Sequence, residues 1–184
     1  MKAFIAVSLA ALVLVLVALG SGAYNMAVTE KHWAITEKLI TWVREGSIKA
    51  RAKDLKVPTF EFEEEDMLAK GFAQYHAMCT GCHLTPGKQP SELAVGLYPQ
   101  APLFYERAPV INEEDKLYLF KKYFWVIKHG IKMTAMPAWG STHDDESIWT
   151  MAAFILTLHG MTDEQYAALV DTHFDKLEQD SHHH

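Results

Sequence analysis

The sequence predicts an all-α chain, on three observations. Apolar side chains recur at three- and four-residue spacing in successive windows. Capping residues stand at the heads of those windows and glycines at their ends. No stretch alternates apolar with polar side chains as a half-buried strand does, and no internal repeat is present.

At 184 residues, 49% hydrophobic and 22% charged, the chain has room for one ordinary domain with additions and enough apolar material for a core. A net charge of −6 leaves no basic stripe to neutralise phosphates, so no nucleic-acid partner is expected. The two cysteines are three positions apart, which excludes a long-loop disulfide framework and a four-cysteine zinc site.

Residues 1–28 read as a transmembrane anchor or a signal segment. Residues 3–28 carry no charge, and Ser8 alone interrupts the apolar run over 3–20. Lys2 and the terminal amine supply the positive cytoplasmic flank. About 20 apolar residues span a bilayer, and this run is longer than the usual apolar region of a cleaved signal. Ser21-Gly22-Ala23 nevertheless offers a cleavage point after Ala23. Either reading puts everything after residue 28 outside the cytoplasm.

Residues 29–66 read as a juxtamembrane amphipathic helix and an acidic linker. Seven bases face four acids over 29–56, and Ile35, Leu39, Trp42 and Val43 form one apolar stripe at helical spacing. Trp33 suits the headgroup level of a membrane. The stripe therefore predicts either a helix lying on anionic membrane lipid or one packed on the following domain or a partner subunit. Val57-Pro58 should end the helix, and the acids at 61–66 should form a solvated linker.

Residues 67–160 read as one compact helical unit. Asp66 can cap a helix running from about residue 67 into the cysteines. Pro86, Pro90, Pro99, Pro102 and Pro109 make the next stretch mostly loop. Asn112, followed by Glu113, Glu114 and Asp115, starts a helix to about His129, which Gly130 stops. Asp144 or Asp145 opens another, with Ile148, Met151, Ala152, Ile155 and Leu158 as its buried face and Gly160 as its end. Residues 161–184 should add a C-terminal extra helix, opened by a capping box of Thr162 and Gln165 and reaching about Leu177, and a histidine tail.

Cys79-Thr80-Gly81-Cys82-His83 is the motif that carries chemistry. Two thiols three positions apart can add to the two vinyl groups of one porphyrin, and the adjacent imidazole can then reach its iron. A redox dithiol also uses Cys-x-x-Cys, but it lacks its usual preceding strand here and gives His83 no purpose. One covalent haem c is thus the expected cofactor. A second axial ligand must come from far along the chain, and Met136 is favoured: Pro137 forces it into an extended conformation in a loop. Met133, His129 and His143 are the competitors, and core packing is the ordinary role of any methionine.

These residues bear a resemblance. The region from about residue 67 to 160 resembles a class I, monohaem cytochrome c domain, through Gly71, Tyr75, the Cys79–His83 motif, Met136-Pro137, and Trp149 with Phe154. The resemblance implies that the first and last helices cross, with Gly71 and Phe72 against Trp149 and Phe154. Gly96-Leu97-Tyr98-Pro99 and Pro102 resemble a loop of membrane-anchored bacterial members, as do residues 24–56. By that resemblance the Pro102 carbonyl orients His83, whose imidazole and the Met136 thioether ligate the iron.

Histidine and methionine fill the iron's coordination sphere, leave no site for substrate, and raise the reduction potential. Leu97, Tyr98, Phe104, Phe124, Trp125 and Trp139 are available to keep water from the haem. The implied protein is a one-electron carrier anchored to the bacterial inner membrane with its haem domain in the periplasm. Its partners would be a quinol-oxidising complex, a dehydrogenase or a terminal oxidase. A fixed haem subunit of a multi-subunit oxidoreductase and a haem sensor or peroxidase with a labile methionine are the alternatives. Residues 116–132 hold five lysines and no acid, within a 57–184 segment of net −10, which predicts steering toward an acidic partner; a solvated helix face is the plainer reading. His182, His183 and His184, with Asp180 and His173, could bind copper, nickel or zinc, unless they are the remnant of a purification tag.

Overall fold

The computed structural model describes residues 1–59 and 64–181, and all regular structure among them is helical. Two units are described separately, Met1–His32 and Trp33–His184. In the first, α1 (Lys2–Gly20) has 19 residues with no charge beyond Lys2 and no buried side chain. At 1.5 Å per residue it is roughly 28 Å long, the thickness of a bilayer's hydrocarbon core. It is long and apolar enough to cross a membrane.

The second unit begins with α2 (Ala34–Ala52), which ends before Val57-Pro58 rather than at it. The stripe expected to be its contact face is exposed, with Ile35 at 72% and Trp42 at 74%. A different face packs: Ile48 and Ala52 are buried, and Leu55 and Val57 beyond them join the core's edge. Glu45 reaches Lys122 at 2.6 Å, and Lys121 Nζ donates to the Lys53 carbonyl at 3.4 Å. Ile48 and Ala52 lie four positions apart on a face that packs toward a helix distant in sequence, and apolar periodicity within α2 does not register that partner.

The expected cap at Asp66 is a correction, because α3 (Glu64–Gln74) already includes it. Glu65 and Asp66 sit in the first turn, where the helix dipole favours carboxylates. The acidic linker is therefore shorter than expected, and residues 60–63 of it lie outside the described residues. A π-helical turn, Tyr75–Cys79, and a single α-turn, α4 (Thr80–His83), carry the chain through the cysteine motif.

The proline-rich stretch is not wholly loop. It contains α5 (Glu92–Val95), capped by Ser91, and a 3₁₀ turn Phe104–Glu106. In α6 (Glu113–His129) Asn112 accepts from the Glu114 and Asp115 amides, and Gly130 ends the helix at φ 63°. Asp144 caps α7 (Asp145–Thr157) through the Ser147 amide at 2.8 Å. The capping box is present: Gln165 Oε1 accepts from the Thr162 amide at 2.9 Å, and Thr162 Oγ1 from the Gln165 amide at 3.3 Å. It opens α8 (Asp163–Ser181), which runs past Leu177 with a kink at His173. His182, His183 and His184 lie outside the described residues.

The core is built around α7, which buries every residue from 148 to 155 rather than one face. α3 crosses it so closely that a Cβ on Gly71 would meet the Thr150 carbonyl and lie 2.9 Å from Phe154 Cβ. The Phe72 and Phe154 rings meet edge to face at 5.4 Å. Trp149 departs from the implied crossing: it stacks on Phe124 of α6, centroids 3.9 Å apart. Tyr166 of α8 closes over Phe72 at 5.6 Å.

Candidate functional site

Among the described residues these packings leave a partly enclosed cavity of about 440 Å³, within the usual range for cofactor pockets of roughly 300–1,000 Å³. A larger depression of about 510 Å³, along Pro109 to Leu119, is open and holds neither thiol nor imidazole. Cys79, Cys82, His83, Met136, Pro102 and Trp139 all line the partly enclosed cavity. Residues 53 apart along the chain thus meet because α3 delivers the cysteine motif to one part of the wall and the loop after α6 delivers the methionine.

His83 is oriented by the chain itself. Its Nδ1 lies 2.9 Å from the Pro102 carbonyl, which can only accept, so Nδ1 carries the proton and Nε2 keeps its lone pair. The Phe104 ring stacks on the imidazole at 4.8 Å. Burial lowers the imidazole's pKa, the Pro102 carbonyl offsets this in part, and the Arg107 cation lowers it further. A neutral ring with a bare Nε2 is the form a metal requires. Tyr75, buried under this turn, donates its hydroxyl to the Leu84 carbonyl at 2.8 Å and fixes the chain just beyond His83.

The two cysteines are free thiols. Burial pushes the Cys79 thiol up to about 12, with the Cys82 sulfur adding to the rise. A thiol so placed is a poor thiolate.

The methionine loop separates the competitors. Met136 lines the cavity, whereas Met133 has φ 59° and is 80% exposed. Neither His129 nor His143 lines it: the first packs its ring on Trp125, the second bonds Thr142 Oγ1 at 2.9 Å. Gly130 makes the loop's return possible, since a Cβ there would sit 2.8 Å from the Met136 carbonyl.

Other expectations fare unevenly. Tyr98 does not line the cavity; its neighbours Leu97 and Pro99 do. Of the remaining aromatics Phe104 lines it, whereas Phe124 and Trp125 do not. Two lysines of the 116–132 segment are engaged, Lys122 with Glu45 and Lys128 with Asp145, so its free positive charge is smaller than the sequence suggests. Sequence reasoning missed Arg44, Glu45, Arg107 and Lys122 on the wall. Only the fold brings these four charges, spread over 79 positions, to one place.

The donor set fits a covalent haem: two thiols and a neutral imidazole from one turn, a thioether from a distant loop, and an otherwise largely apolar wall. Residues 66–155 match the family model described as "Cytochrome C oxidase, cbb3-type, subunit III". No curated protein and no solved structure matches the chain. The matched segment is all-helical and holds Cys79, Cys82, His83 and Met136.

Proposed function

We propose that the class I cytochrome c domain at residues 66–155, with its one covalently bound haem c, serves as a membrane-anchored, periplasmic one-electron carrier. Cys79 and Cys82 would hold the haem through thioether bonds, His83 Nε2 and the Met136 sulfur would ligate its iron, and the Pro102 carbonyl orients the imidazole through Nδ1. The observation that carries this reading is the meeting of Cys79, Cys82, His83 and Met136 on the wall of one cavity. The haem iron supplies a centre that accepts one electron and gives it up again, without bond making or breaking in a substrate. The chain's own residues fix both ligands in advance, so little rearrangement accompanies the change of charge. Trp139, Leu97, Phe104 and Ile127 keep water from the cavity, which favours the ferrous state.

The anchor in this reading is α1, which holds the domain to the bacterial inner membrane. The exposed stripe of Trp33, Ile35, Leu39, Trp42 and Val43, flanked by Lys31 and Lys38, supports contact with anionic lipid. Donor and acceptor are then membrane respiratory proteins or dehydrogenases. The family description favours a second reading, a fixed haem subunit of an oxidase. Co-purification from detergent extracts separates the two: a stoichiometric oxidase partner supports the subunit, and its absence the carrier.

The ligand assignment is tested by ferric absorbance. A methionine-ligated ferric haem shows a weak near-infrared charge-transfer band. Met136→Ala should abolish it and Met133→Ala leave it. Loss of the band only in the second variant would transfer the role to Met133.

A further inference from the structure

The family match starts at residue 66, yet the cavity wall includes two residues of α2. Beside His83, four charged side chains line the cavity among the described residues: Arg44, Glu45, Arg107 and Lys122. Glu45 accepts from Arg44 Nε at 3.2 Å and from Lys122 Nζ at 2.6 Å. The carboxylate so engages one edge of the guanidinium and leaves its two Nη groups for another acceptor. Arg107 gives one Nη to the Tyr123 hydroxyl at 2.8 Å and lies over the Phe104 ring.

Three cations against one carboxylate leave two uncompensated positive charges beside a largely apolar wall. Arg44 and Lys122 are only 29% and 23% exposed, so solvent compensates them incompletely. The porphyrin of a haem c carries two propionate carboxylates, which would bring the local charge to zero. We propose that Arg44, outside the matched domain, donates through its Nη groups to a haem propionate, with Glu45 and Lys122 holding it in place. The segment before the domain is then a wall of the haem site. α2 is fixed for that role by its buried Ile48 and Ala52 and by the Lys121 bond to the Lys53 carbonyl. This inference rests on the haem reading above.

The test uses the full-length protein matured with its haem. Arg44→Gln should shift the midpoint potential downward, because a nearby cation disfavours the ferric charge. Arg44→Lys should stay near the wild-type potential, and so should Lys38→Gln, which removes an exposed cation from the same helix. In resonance Raman spectra the propionate bending band should shift in both Arg44 variants and not in Lys38→Gln. Haem-loaded Arg44→Gln with wild-type potential and band overturns the inference. If that variant fails to take up haem, an unshifted band in Arg44→Lys overturns it instead. A wild-type protein without haem c would sink the function proposed above, a distinguishable result.

Discussion

The Thr134 hydroxyl accepts the Met136 amide at 3.1 Å. The same hydroxyl donates to the Ile131 carbonyl at 2.8 Å, and the Ile131 amide returns a bond to the Met136 carbonyl at 3.2 Å. The six residues of this loop are closed on themselves, so the direction of Met136 is set by the chain rather than by whatever it touches. Thr134→Val keeps the side-chain shape and leaves a half-buried amide without its acceptor, a loss of about 1–3 kcal/mol. With Met136 as ligand, the variant should retain haem c but bind added imidazole at the ferric iron up to about tenfold more tightly, as a loosened thioether is displaced more easily. An imidazole affinity equal to that of the wild type would show that the hydroxyl has no hold on the ligand.

Gly71 is where α3 and α7 come closest, and the near atoms are the Thr150 backbone and Phe154 Cβ, neither at the end of a flexible side chain. Alanine in a helix interior ordinarily stabilises by about 1 kcal/mol over glycine. Here the added methyl has no room, and separating two helices at the centre of the core outweighs that gain. Gly71→Ala should destabilise by about 1–3 kcal/mol in denaturant unfolding. A neutral or stabilising result would mean that the helices can part without loss.

What was legible in the sequence was local. Asn112, Asp144 and the Thr162–Gln165 pair cap helices because capping depends on side chains within three residues of the amide they serve. Gly130 ends α6 at φ 63°, a conformation that glycine adopts without strain, whereas α7 stops at Thr157 and Gly160, at φ 75°, turns the chain three residues beyond its end. The cysteine motif and the Met136-Pro137 loop were legible for the same reason. The packed face of α2 was not, since Ala52 is buried by a helix that starts 61 positions later. Nor was the π-helical turn at Tyr75–Cys79, because the same apolar spacing serves either kind of turn there. Tyr98 shows a one-residue limit: the aromatic residue was visible, and which neighbour faces inward was a matter of backbone direction.

Glu45 and Lys122 join α2 to α6 at 2.6 Å, with 43% and 23% of their side chains exposed. Burial alone would raise the Glu45 pKa, but Lys122 and Arg44 outweigh it and hold the carboxyl below its ordinary value. A carboxylate so depressed adds stability that is complete above its unfolded pKa and is lost as pH falls through the folded one. Solvent screens the pair, so a double-mutant cycle of Glu45→Gln and Lys122→Met should give a coupling of only about 0.2–1 kcal/mol at pH 7. The coupling should shrink as pH is lowered from about 7 toward 3. A coupling unchanged across that range would mean that the contact is not ionic.

His159 is buried beside the cavity, and its environment demands the neutral ring. Its Nδ1–H donates to the Ala108 carbonyl at 3.3 Å, which leaves Nε2 to accept from the Tyr123 hydroxyl at 2.9 Å. That hydroxyl also takes Arg107 Nη1 at 2.8 Å, so its proton is committed to the imidazole. Burial lowers the His159 pKa, the Ala108 carbonyl offsets part of this, and the Arg107 cation lowers it further. The unfolded chain binds this proton near the ordinary value of about 6.5 and the folded chain only below it, so the unfolded state holds more protons in between. Stability is therefore complete above about pH 6.5 and falls as the pH drops toward the folded value, by up to roughly 1.4 kcal/mol per pH unit. His76, bonded to the Tyr166 hydroxyl at 3.0 Å and also lowered by burial, contributes with the same sign. Unfolding free energies measured from pH 7 to 5 should fall less steeply in His159→Gln than in the wild type. Equal slopes would mean that His159 does not carry the acid sensitivity, and His76→Gln would then be the next variant to measure.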